Sequence, residues 1–177
     1  ALLEADEVGD LLDSIVEKTY RNAVFRSGTI GGYTAAAVDG VELFSSTKKS
    51  CRKCLTRKNK AGQTEYFHRS VVCASIGHSP HVVLGQEMLT PRDGGEKDEG
   101  ELTGGKRLVR DLHRKFGHFA DVIVADALYL NAPFLNTVLD CHMDAVIRLK
   151  DEERLIYKDA KGLFEKGEGR KDGFRRG

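Results

Sequence analysis

Asp121-Val122-Ile123-Val124-Ala125-Asp126 is the stretch whose reading decides the fold. Val122 to Ala125 is short, apolar and β-branched, the pattern of a strand buried on both faces. It stops on Asp126. After it, Asn131 opens a helical spacing through Phe134, Leu135, Val138 and Leu139, with Asn as N-cap and Pro133 in the first turn. The unit is strand, acid, helix. In an open α/β sheet the chemistry lies just beyond the carboxyl ends of strands, which is where Asp126 falls. A second stretch has the same form. Thr34-Ala35-Ala36-Ala37-Val38 is small and apolar, and it also runs into an acid, Asp39, followed by Gly40. Two strands that each end on a carboxylate can set two acids side by side.

The rest of the chain supplies the frame. Residues 6–25 carry Val8, Leu11, Leu12, Ile15, Val16 and Tyr20 at helical spacing. Strands are expected over 33–38 and 41–44, joined as a hairpin at Gly40. Residues 45–63 are polar, basic and without period, an insertion or long arm. Further strands are expected over 65–76 and 81–84, and a helix over 102–116 that Gly117 ends. The strand to Asp126, a helix over 131–142 and a strand over 145–149 follow, with one more short strand over 154–157. The order is three antiparallel strands, then parallel strands with crossover helices: an α/β chain with the mixed sheet of the RNase H-like fold, incomplete on its C-terminal side. In that arrangement Asp39 and Asp126 end neighbouring parallel strands, with carboxylates roughly 4 to 7 Å apart, the reach of a shared metal ion. The organisation expected is a helical segment over 1–32, a core over 33–164 with the insertion at 45–63, and a charged tail over 165–177.

Composition narrows the partners. The chain has 177 residues, 40% apolar and 31% charged, with a net charge of +1. That is the make-up of a globular domain, and no run reaches the roughly 20 apolar residues of a membrane span. No leader pattern is visible, and four cysteines at this length point to a reducing, cytoplasmic setting. The charge is segregated. Lys48, Lys49, Arg52, Lys53, Arg57, Lys58 and Lys60 fall in one acid-free run, and Lys106, Arg107 and Arg110 in one helix. These are candidate phosphate contacts to DNA; a solvated loop is the plainer alternative for the first run.

The words around the acids carry more. Ala-Val-Asp39-Gly-Val-Glu42-Leu-Phe-Ser-Ser46 is followed by Cys51-x-x-Cys54-Leu-Thr-Arg57 and Tyr66-Phe-His68. Pro91-Arg-Asp93-Gly-Gly-Glu96-Lys97, Lys106-Arg107, Val-Ala-Asp126-Ala-Leu-Tyr129-Leu-Asn131, Arg148-Leu-Lys150 and Leu155-Ile-Tyr157-Lys-Asp159 come next. In that order and spacing the chain resembles a DDE transposase of bacterial insertion sequences, of the type-four-like group, over residues 33–164. The resemblance implies metal-dependent cutting and joining of DNA at the ends of a mobile element, by a nucleoid-associated protein that can pair as a homodimer on DNA. Asp39 and Asp126 match the first two acids of the triad, ligands for Mg²⁺ or Mn²⁺. The third acid of that family is a Glu on a late helix. Glu152, Glu153, Glu165 and Glu168 lie in or near loops and match no such helix, so the expectation is a fragment that binds DNA without cutting it. A non-catalytic DNA-binding remnant and another RNase H-like nuclease, such as a resolvase, stay as alternatives.

Cys51 and Cys54 can take adjacent tetrahedral positions on a zinc ion, and His68 can join them. Reduced free thiols are the alternative. Cys73 sits an odd number of residues from His68 along a strand, on the other face, and with Cys141 reads as core.

Overall fold

The computed structural model describes residues 5–91, 98–149 and 155–166. It falls into two compact units, 1–147 and 148–177. In the first, α1 (Ala5–Arg21) leads into β1 (Ala35–Ser46), β2 (Leu55–Lys58), β3 (Thr64–Ile76) and β4 (Val83–Met88). Then come α2 (Glu101–Phe116), β5 (Val122–Ala125), a 3₁₀ turn (Ala127–Tyr129), α3 (Ala132–Asp140) and β6 (Asp144–Ile147). In the second unit, α4 spans Leu155–Lys166.

The six strands form one mixed sheet in the order β2-β3-β1-β5-β6, with β4 also on β3. β1 pairs antiparallel with β3 and parallel with β5; β5 pairs parallel with β6. β3 is long enough to hold two partners along one edge: β2 on its first half, β4 on its second. The short connections on the antiparallel side and the helical crossover α3 between β5 and β6 follow the usual rules for the two pairings.

α2 packs on β3 and β4, α1 on β4, and α3 against α2 and β6. Between them lie Val38, Val71, Leu84, Leu108, Leu112, Ile123, Tyr129 and Phe134, each at most 2% exposed. α1 is tied into this core by Val16 and by the Lys115–Asp13 ion pair at 2.8 Å. Asp121 fastens the other end of β1: its carboxylate accepts the backbone N–H of Thr34 at 2.6 Å and bonds the His118 ring at 2.8 Å. Its carboxyl is held below the usual range, first by His118 and then by the Thr34 N–H.

Four expectations change. β1 does not stop at Asp39. It runs on through Asp39-Gly40 to Ser46, paired with β3 on both sides of a register shift between Glu42 and Phe44, so there is no hairpin at Gly40. Asp-Gly is a turn signal, but here the glycine serves space: a Cβ on Gly40 would sit 2.3 Å from the Glu101 carboxyl carbon. Residues 45–63, expected as an insertion or long arm, contain a strand that was not expected: β2 forms within them and pairs with β3. β5 alternates buried and half-buried residues rather than being covered on both faces. The short apolar run at Leu155-Ile156-Tyr157 is the start of α4 and not a strand, a short run that periodicity alone cannot assign. Glu165 therefore falls within that helix; Glu152, Glu153 and Glu168 lie outside the described residues.

Helix α2 comes close to its neighbours because it carries Gly104-Gly105. A Cβ on Gly105 would lie 2.9 Å from Tyr129 Cε1, a buried ring that cannot swing away, whereas a Cβ on exposed Gly9 in α1 meets nothing within 4 Å. Gly9→Ala should therefore stabilise the protein by about 0.5 to 1 kcal/mol through helix propensity. Gly105→Ala gains the same propensity but overpacks, at about 1 to 3 kcal/mol, and should be net destabilising. Urea denaturation of both variants checks this; equal stabilisation by the two would refute the close approach.

Candidate metal and nucleic-acid site

β1 and β5 are joined in parallel from Ala35↔Val122 to Val38↔Ala125. Neighbouring strands lie roughly 4.8 Å apart. Asp39 and Asp126 are each the next residue after the last pair, so the two acids leave adjacent strands at the same level. Asp39 is exposed and Asp126 half-buried. Each makes a local bond: Asp39 Oδ1 accepts from Gly40 N–H, and Asp126 Oδ1 caps the 3₁₀ turn by accepting from Leu128 N–H, both at 2.8 Å. The cap fixes the direction of the Asp126 carboxylate as the chain leaves β5.

A third acid joins them, one that no sequence pattern singles out. Glu101 begins α2, and its carboxylate is packed on the backbone of Gly40, beside Asp39. Arg69 on β3 holds it through Nη1 at 2.6 Å, and the same guanidinium reaches Glu42 on β1 at 3.3 Å. An acid in the first turn of a helix reads as a favourable partner for the helix dipole; only the fold of α2 over β1 gives it a second meaning.

Tyr129 ends the 3₁₀ turn that Asp126 caps. It is fully buried, and among the described residues its hydroxyl has no hydrogen-bond partner. Burial raises its pKa, and Glu101, Asp39 and Asp126 push in the same direction, in that order. A buried polar atom without a partner marks a site where water or an ion completes the bonding. Three carboxylates are the donor set of a hard divalent cation. Their oxygens do not all lie within 4.8 Å of one another; among the described residues only Cys51, Cys54 and His68 converge that closely.

The basic residues divide into two groups. Arg57 is held by Glu42 and Glu65, both at 2.6 Å, with its guanidinium 4.6 Å over the Phe67 ring. Arg57 in turn holds both carboxyls below their usual range. Arg107 is held by Glu99 at 2.5 Å and Glu87 at 2.7 Å, and Arg110 bonds Thr137 Oγ1. These three knit the sheet and α2 together. Lys58 bonds Thr64 Oγ1 across the β2–β3 hairpin. Lys48, Lys49, Arg52, Lys53 and Lys60 are exposed in the loops on either side of β2, and Lys106 is half-buried on α2. Asp93 and Glu96 lie outside the described residues.

Comparison of the chain with protein-family models, with curated proteins and with solved structures finds no match. Among the described residues no helix is long and apolar enough to cross a membrane.

The orphan hydroxyl makes a measurable claim. With divalent cations removed, Tyr129→Phe should leave stability unchanged or raise it by up to about 1 kcal/mol, because an unpartnered buried hydroxyl is lost. A loss larger than that in urea denaturation would mean the hydroxyl has a protein partner after all.

Proposed function

We propose that this chain carries the RNase H-like core of a DNA transposase, an enzyme that cleaves and joins phosphodiester bonds with divalent metal ions, and that the chain by itself binds DNA without cutting it. The observation that carries the reading is the single-register meeting of Asp39 and Asp126 on parallel strands, with Glu101 and the Tyr129 hydroxyl beside them. The strand order supports the fold half of the proposal: an antiparallel β1-β3-β4 set joined to a parallel β1-β5-β6 set. The motif string from Asp39 to Asp159 supports the family.

In this reading Asp39 and Asp126 are the ligands of Mg²⁺ or Mn²⁺. Such ions activate a water or a 3′-hydroxyl and stabilise the leaving oxygen of a phosphodiester. Glu101 adds negative charge that Arg69 holds in place, and Tyr129 offers a hydroxyl that burial keeps protonated. Lys48, Lys49, Arg52, Lys53 and Lys60 steer and hold the DNA backbone, which carries the sequence-independent part of the affinity. Arg57 and Arg107, already held by carboxylates, organise the protein side of that surface.

Mn²⁺ titration followed by electron paramagnetic resonance tests the metal half. The protein should bind Mn²⁺, and Asp39→Asn or Asp126→Asn should weaken binding at least about tenfold with circular dichroism unchanged. Mn²⁺ affinity indifferent to both substitutions would sink the catalytic assignment and leave a DNA-binding protein. For the DNA half, five exposed cations predict a log–log slope of affinity against salt of about −4.5 on duplex DNA. Replacing Lys48, Lys49, Arg52 and Lys53 with Gln should flatten that slope to about −1; a slope that does not change places the DNA elsewhere.

A further inference from the structure

Cys51 and Cys54 lie in the loop between β1 and β2, and His68 lies on β3, opposite Phe44 of β1. The chain brings their ligand atoms into a triangle. The two Sγ atoms are 3.6 Å apart, and His68 Nε2 is 3.3 Å from Cys51 Sγ and 3.4 Å from Cys54 Sγ. A tetrahedral zinc ion with sulfur at about 2.3 Å and nitrogen at about 2.0 to 2.1 Å requires edges of about 3.8 Å between sulfurs and about 3.5 Å from sulfur to nitrogen. The triangle matches one face of that tetrahedron to within a few tenths of an ångström. Both cysteines are free, and their separation is far beyond the roughly 2.05 Å of a disulfide.

The backbone is arranged for thiolates. Lys53 N–H donates to Cys51 Sγ at 3.4 Å, and Cys51 N–H donates to Cys54 Sγ at 3.2 Å. A turn closed by Cys54 N–H on Cys51 C=O at 3.2 Å sets the two thiols on one side. Two sulfurs and one imidazole form a soft to borderline donor set, which selects zinc over Mg²⁺, Mn²⁺ or Ca²⁺.

We infer that Cys51, Cys54 and His68 form a structural zinc site, separate in place and in metal preference from the carboxylates at Asp39 and Asp126. No other described Cys, His, Asp or Glu joins this cluster. The ion fastens the β1–β2 loop to β3. Cys54 leads directly into Leu55, which is buried and pairs with Phe67, next to His68. The zinc therefore seats the base of the arm that carries Lys48, Lys49, Arg52 and Lys53, and its presence does not depend on whether the protein cuts DNA.

The test uses the whole chain, purified with a phosphine reductant and without chelator. One zinc per chain is expected by elemental analysis. Replacing it with Co²⁺ should give visible ligand-field bands of tetrahedral intensity and a near-ultraviolet sulfur-to-cobalt charge-transfer band. Cys51→Ser should weaken that band and lower zinc affinity at least about a hundredfold. Because a cysteine variant can misfold, wild-type protein is tested in parallel: saturating zinc should slow alkylation of Cys51 and Cys54 at least about tenfold, and excess chelator should restore it. Less than 0.2 zinc per chain at purification and no charge-transfer band on adding Co²⁺ would overturn the proposal. So would alkylation rates indifferent to zinc, which would leave three hydrogen-bonded side chains and no metal site.

Discussion

Everything around the candidate site depends on β1 being paired on both edges, antiparallel to β3 and parallel to β5. Ala35, Ala36, Ala37 and Val38 give this strand little bulk, so helices can lie close above it. The parallel pairing carries Asp126 to the level of Asp39. The antiparallel pairing carries Arg69 to Glu42, and through Arg69 it positions Glu101. If β1 lost either neighbour, the three acids would no longer share one region, because each comes from a different element.

Carboxylates gathered in this way repel one another, and folding must offset that cost. The protein does so unevenly. Glu101 has a guanidinium, Asp126 has a backbone N–H from the turn it caps, and Asp39 has the N–H of its own neighbour. Tyr129, fully buried, contributes packing against Phe134, but among the described residues its oxygen has no partner. A cation would relieve both conditions, and that physical shortfall supports a metal function more directly than the presence of acids does.

The charged residues of the sheet surface follow a different logic. Glu65, Arg57, Glu42, Arg69 and Glu101 form one continuous chain of ion pairs across β2, β3, β1 and α2, laid over the Phe67 ring. Single exposed pairs contribute little, but a network with bidentate arginine geometry fixes side-chain positions. It runs from the base of the basic arm to the acid beside Asp39, so that Arg57, a candidate DNA contact by sequence, serves as a tie between strands.

What the sequence determined by itself was local. The β-branched run Val122–Ala125 as a strand, the spacing of Leu108 and Leu112 and the stop at Gly117 all act within a few residues, and each appears in the structure as expected. The parallel adjacency of Asp39 and Asp126 was also legible, because element order leaves few ways to build such a sheet. The tertiary structure alone decided the rest. Gly40 looked like a turn because Asp-Gly most often is one, yet β3 pairs straight past it and α2 uses the empty space. Leu155-Ile156-Tyr157 looked like a strand because three apolar residues have no period. Glu101 fell just outside the helix expected over 102–116, and Arg57 and Arg107 read as candidate DNA contacts, because a one-dimensional pattern does not contain the partner that folding brings from 32, 15 or 20 residues away.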